Sequence, residues 1–209
     1  MKLDITKLIH IIDKSLKICI GYSSGLQKRN EFYYTIKGDS SALNRLKNSE
    51  ELVTVSKWFN DFWLFFEIKF IFQHIMPGKK KQIQTDTRIS LSVFQGEDFD
   101  DKKHQLFRAE WDDYNNPDEK HAQPHWHITS SQAIENTIYE YATVFEHQDF
   151  LHVLESEKQK ILDVKKIHFA MNGDWQNSKT HIHEIADEKQ IEGWLLGILN
   201  HIRTELNDL

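Results

Sequence analysis

A single cysteine, Cys19, excludes an internal disulfide framework and any zinc site built on thiolates. It sits among apolar residues of a predicted helix, where it reads as packing rather than as a nucleophile. Proline and glycine are scarce, at 3 and 8 in 209 residues, so there is little material for tight turns and more for long helices or strands. The richest apolar run, Phe62 to Phe72, falls short of the roughly 20 residues of a membrane-spanning helix and carries Glu67 and Lys69. The opening MKLDITKLIH carries charges and no apolar core of a signal peptide. The expectation is a cytoplasmic protein with no membrane partner.

Positive charge is also in deficit. The net charge of -6 supplies no global attraction to nucleic acid, so a nucleic-acid partner is an expectation that charge does not support. Between Glu97 and Lys120, nine acids face four Lys or Arg, which accounts for most of the imbalance. The basic run Lys79-Lys80-Lys81 follows Pro77-Gly78 and reads as a solvated loop. The phosphate-cradling GxGxxG and GxxxxGK[ST] patterns are missing, and so are HExxH and GxSxG.

What is present is ordinary globular material, 39% hydrophobic and 28% charged. It predicts one α+β domain over 1–209, with a helix-rich part over 1–60 and a sheet with helices over 62–209. Apolar residues at spacings of three and four predict a helix over 4–20. The segment 31–37 reads as extended. Gly38-Asp39-Ser40-Ser41 reads as a turn that caps a helix from near Ala42 past Trp58. For 62–76 both a strand and a buried helix fit, with the strand preferred from Phe66. Strands follow over 87–95, 104–113 and 123–129, the last two as an antiparallel pair. A long helix is predicted over 132–164, then strands over 165–172 and 180–185. The final amphipathic helix is capped by Asp187, with Gln190 at the capping-box position and an apolar stripe from Ile191 to Leu206. The sheet is expected to be largely antiparallel.

Histidine is in excess, with twelve in the chain. His121, His125 and His127 form one group, and His168, His181 and His183 another. Residues i and i+2 of a strand share a face, so His125 and His127 project together, as do His181 and His183. Such a pair can hold a divalent metal through His125 and His127, or shuttle protons near neutral pH. On the neighbouring strand Arg108 and Glu110 share a face, and Asp112 continues it. Pairing of the two strands would join Arg108, Glu110, His125 and His127 in one patch, with Arg108 for a phosphate and Glu110 to orient an imidazole. The competing reading is a half-exposed sheet face with incidental histidines and an Arg108–Glu110 ion pair. Trp111, Trp126 and Trp175 read as packing rather than as stacking platforms. No carboxylate follows the first His-x-His at the spacing of a cupin centre. Of the two His-x-Thr/Ser motifs of two-histidine phosphoesterases, only His127-Ile128-Thr129 is present.

The run LFRAEWDD…HAQPHWHI, over 106–128, resembles the Arg-Tyr-Asp-Asn strand and His-x-His of TumE-type toxins from prokaryotic toxin–antitoxin pairs. Arg108 matches the motif arginine, Asp112 or Asp113 the aspartate, and His125 and His127 the histidine pair. The chain departs from that pattern in Ala109-Glu110, in a longer loop and in its N-terminal part. The resemblance implies a defence or toxin–antitoxin protein acting on RNA, with a protein partner. The expected function is therefore a phosphodiester-cleaving, ribonuclease-like effector using Arg108, Glu110, His125, His127 and His183. A non-catalytic subunit of a defence or regulatory complex and a metal-binding domain are the alternatives.

Overall fold

The computed structural model describes residues 4–46, 49–75, 82–100, 103–112, 124–128 and 187–208. The predicted helix 132–164 and strands 165–172 and 180–185 lie outside the described residues, and with them His121, His168, Trp175, His181 and His183.

The chain begins with helix α1 (Ile5–Cys19), where Asp4 caps the first turn by accepting from the Lys7 amide. Its stripe of Leu8, Ile12 and Leu16 is fully buried, as the three-four spacing requires. A short 3-10 turn (Tyr22–Ser24) leads into eight strands: β1 (Leu26–Asn30), β2 (Tyr33–Ile36), β3 (Ser40–Leu46), β4 (Ser49–Phe59), β5 (Phe62–Ile75), β6 (Gln82–Gln95), β7 (His104–Asp112) and β8 (His125–Ile128). Helix α2 (Glu188–Asn207) closes the described chain.

Every pair among the described strands is antiparallel, in the order β1-β2-β5-β6-β7-β8, with β3 paired to β4 and β4 to β5. The mixed α+β class and the largely antiparallel sheet are as expected. The helix predicted from Ala42 past Trp58 is not there: β3 and β4 occupy that stretch as a hairpin. The N-terminal part is therefore one helix followed by strands, and not helix-rich. Segment 62–76 resolves to the strand reading, which starts at Phe62 rather than Phe66.

The physical reason for the β3–β4 correction lies in which residues are buried. In β3 the buried positions are Ala42 and Asn44, while Leu46 of β3 and Leu52 of β4, the partner of Leu43, are exposed. A polar network replaces the missing apolar burial: Asn44 Oδ1 accepts from Ser92 Oγ (2.9 Å) and from Gln105 Nε2 (3.2 Å). Gln105 Oε1 in turn accepts from the Arg45 amide at 2.6 Å. A satisfied buried network of this kind specifies one docking position for the hairpin. At the β4–β5 turn Asn60 takes φ of 47°, a left-handed conformation that asparagine tolerates well.

Register assigns the two faces of the sheet. On one face the rows Ile68–Ile89–Trp111, Phe66–Leu91–Ala109–Trp126 and Leu64–Val93–Phe107–Ile128 run straight across the strands. Most of these residues join the buried stripes of α1 and α2 in one core, with Trp126 packed at its edge and Ile128 exposed at the end of its row. On the other face run Thr35–Glu67–Ser90–Glu110–His125 and Phe65–Ser92–Arg108–His127. The first face is mainly apolar, and the second, though Phe65 is buried there too, carries the polar side chains.

The two helices are tied at their N-termini. Glu188 accepts from the Asp4 amide (2.9 Å) and pairs with Lys7 Nζ (3.0 Å), and these bonds hold its carboxyl below the usual range. Asp187 caps α2 by accepting from the Gln190 amide at 2.8 Å. Replacing Asp187 with Ala is expected to cost about 1 kcal/mol of unfolding free energy, measured by urea titration. An unchanged midpoint would mean that the cap carries no stability here.

Candidate metal centre

Four residues expected to converge do so. Strand β8 runs antiparallel to β7, with His125 opposite Glu110 and His127 opposite Arg108. Two alternations meet here: the i, i+2 spacing puts Arg108 and Glu110 on one face of β7, and His125 and His127 on the same face of β8. Trp126, between the histidines, points to the other face and packs its ring edge-on against Phe107 at 5.6 Å. Its apolar anchorage fixes which way the two imidazoles face. Trp111 is buried in the core, so both indoles serve packing.

The imidazole Nε2 atoms of His125 and His127 lie 2.9 Å apart. Glu110 Oε2 is 3.0 Å from His127 Nε2 and 3.3 Å from His125 Nε2. Three lone-pair atoms therefore close a small triangle. Protons alone do not satisfy it. If both rings donate to the carboxylate, two N–H groups oppose each other at van der Waals range. If one ring donates to the other, a contact to Glu110 is lost. A cation above the triangle satisfies all three atoms at once, and Glu110, His125 and His127 are a cluster able to hold a metal ion.

Arg108 stands behind the triangle. It is 5% exposed, and its Nη1 donates to the Arg45 carbonyl at 2.7 Å. Its Nε lies 2.8 Å from Glu110 Oε1, the oxygen turned away from the histidines. That contact is one of charge: among the described residues Nε has no aligned hydrogen-bond acceptor. The guanidinium is directed inward onto these two oxygens, which suits the orienting of Glu110 better than the capture of a substrate phosphate. Asp112 continues the face one pair further on, opposite Arg88.

The electrostatics follow from this packing. Burial opposes ionisation of Glu110, but hydrogen bonding with His125 and the charges of Arg108 and the histidines outweigh it, and the carboxyl is held at about 2. Burial is also the main influence on His127 and pushes its pKa down, helped by the charges of Arg108 and His125 and opposed by Glu110. At neutral pH the carboxylate is ionised and His127 is neutral, which are the protonation states that a metal ligand requires.

Both shifts act in the same direction on stability. A folded pKa below the unfolded one means that the unfolded chain takes up the proton first. His127 therefore removes stability as pH falls from about 6.5, its ordinary value, and Glu110 removes more from about 4.5 down to about 2. Thermal melts at stepped pH are expected to show this decline, with the upper part flattened in His127→Gln. An identical profile in that variant would contradict it.

Sequence reasoning found the four central side chains and missed what holds them. The Arg45 carbonyl and the Asn44–Ser92–Gln105 network carried no signal, because β3 reads as a helix. His183 lies outside the described residues.

Comparison with known proteins adds nothing to this geometry: no family model, curated protein or solved structure matches the chain.

Proposed function

We propose that this chain is a metal-dependent phosphodiesterase, with Glu110, His125 and His127 holding one divalent ion. The observation that carries this reading is the closure of two imidazole nitrogens and one carboxylate oxygen into a triangle of 2.9, 3.0 and 3.3 Å. Two histidines and one carboxylate are a ligand set that leaves coordination positions free for water and substrate. The side chains stay partly solvent-exposed, at 23% for His125 and 46% for His127, so the positions opposite the triangle are reachable.

Charge bookkeeping favours an anionic substrate. Arg108 offsets Glu110, and His127 is neutral, so a bound ion would keep nearly its full double charge. Such a centre lowers the pKa of water and polarises a phosphoryl oxygen. It also supplies locally the attraction that the net charge of -6 withholds. The resemblance of 106–128 to TumE-type toxins supports RNA as the substrate and a prokaryotic defence system as the setting.

The test uses a labelled single-stranded RNA and bis(4-nitrophenyl) phosphate, with chelated protein and protein reloaded with manganese. Cleavage that appears on reloading and disappears on chelation is expected. Equal rates with and without metal would reject a metal-dependent reaction.

A further inference from the structure

The three donor atoms also carry information about the ion, and the inference rests on the metal reading above. An ion about 2.1 Å from each atom, an ordinary bond length to nitrogen or carboxylate oxygen, would stand about 1.1 Å above their plane. With edges of 2.9, 3.0 and 3.3 Å, the ligand–ion–ligand angles come to about 87, 91 and 104°. Their mean lies close to the right angles of an octahedron and well below the tetrahedral angle of structural zinc sites.

Among the described residues the set has three donors, and Arg108 bears on how Glu110 enters it. The Arg108 charge stands 2.8 Å from Glu110 Oε1, the oxygen turned away from the histidines, and so favours Oε2 as the single atom offered to the ion. A bidentate glutamate would fill a fourth position. With Oε1 beside a buried guanidinium, itself fixed by the Arg45 carbonyl, no described residue fills the three adjacent positions on the solvent side. Two imidazoles in the set disfavour magnesium and calcium, which take oxygen ligands.

We propose that Glu110, His125 and His127 form a facial set for an octahedral divalent transition ion of the manganese, iron, cobalt or nickel class. Arg108 is a positioning residue that keeps three adjacent coordination positions open. Those positions take a chelating oxyanion, with inorganic phosphate as its simplest form, across two of them and water in the third.

Cobalt(II) distinguishes the geometries, because six-coordinate cobalt absorbs visible light weakly and four-coordinate cobalt absorbs it strongly. The full chain is stripped with a chelator, loaded with one equivalent of cobalt(II), and its spectrum recorded before and after inorganic phosphate. His127→Ala, altered at a half-exposed position, serves as the control for site. The expected result is weak absorption that shifts on phosphate addition and is absent from His127→Ala. Intense four-coordinate bands would overturn the facial assignment while leaving the metal centre intact. A spectrum unmoved by phosphate would overturn the chelating positions. Failure to take up cobalt, or uptake unaffected by His127→Ala, would overturn the metal reading and this inference with it.

Discussion

His125→Ala/His127→Ala is expected to lower metal-dependent RNA cleavage by at least about 1000-fold while leaving the fold intact. Two effects disappear together. On the proposed reading one would be the activated water, and the other the charge that would stabilise the phosphoryl transition state, each worth roughly 100-fold or more. The fold should tolerate the change because both side chains are partly exposed and project from the polar face. Trp126, which anchors β8 against Phe107, is untouched. Substitutions of that kind stay within about 0.5 kcal/mol, or about 1–2 °C in melting temperature for a chain of this size. Initial rates on the metal-loaded proteins, and thermal melts on the chelated ones so that loss of the ion does not enter, check both halves. A fully active double variant would remove these histidines from the chemistry. A collapse of the melting temperature would assign them a structural role instead.

Arg108→Ala is expected to be the most damaging single change at the site. The guanidinium is buried and serves two oxygens, the Arg45 carbonyl and Glu110 Oε1. Removing one partner of a fully buried ion pair costs about 3–5 kcal/mol, because the other charge is left behind. Glu110 retains 30% side-chain exposure, so water recovers part of this and the expectation falls to about 2–4 kcal/mol, or about 5–15 °C. Two further readouts separate positioning from plain stability. The Glu110 carboxyl, now held at about 2, should titrate higher, visible by carboxyl-detected NMR. Metal affinity should fall by about 10–100-fold, the usual effect of removing the group that orients a ligand. A loss below about 1 kcal/mol with unchanged metal affinity would mean that Arg108 neither supports the hairpin nor orients the glutamate.

The parts of the fold that were legible in the sequence are those where burial alternates cleanly. Ile89, Leu91 and Val93 face the core while Arg88, Ser90 and Ser92 face away, and the 87–95 part of β6 follows from that pattern, though not its start at Gln82. The α2 stripe and its Asp187 cap are equally direct. Strand β3 inverts the rule, burying Asn44 and exposing Leu46, so its pattern resembles no half-buried strand. Strand β1 (LQKRN) buries almost nothing, because it is the outermost strand of the described order and has one neighbour, β2. For Val53 and Val55 the alternation was there to be read, but the Glu, Leu and Lys around them favour helix as single residues, and pairing with β3 overrides that preference. The site was legible because it depends only on the period of two and on the pairing of β7 with β8. The inward commitment of Arg108 was not, since it depends on a carbonyl from a strand that the pattern conceals.

The most direct test is the metal content of the full chain, purified without a histidine tag and analysed by elemental mass spectrometry beside His127→Ala. The account predicts about one equivalent of a divalent transition metal in the wild-type protein, retained through gel filtration and lost from the variant. No metal in either protein, even after incubation with manganese, cobalt and zinc, would contradict it.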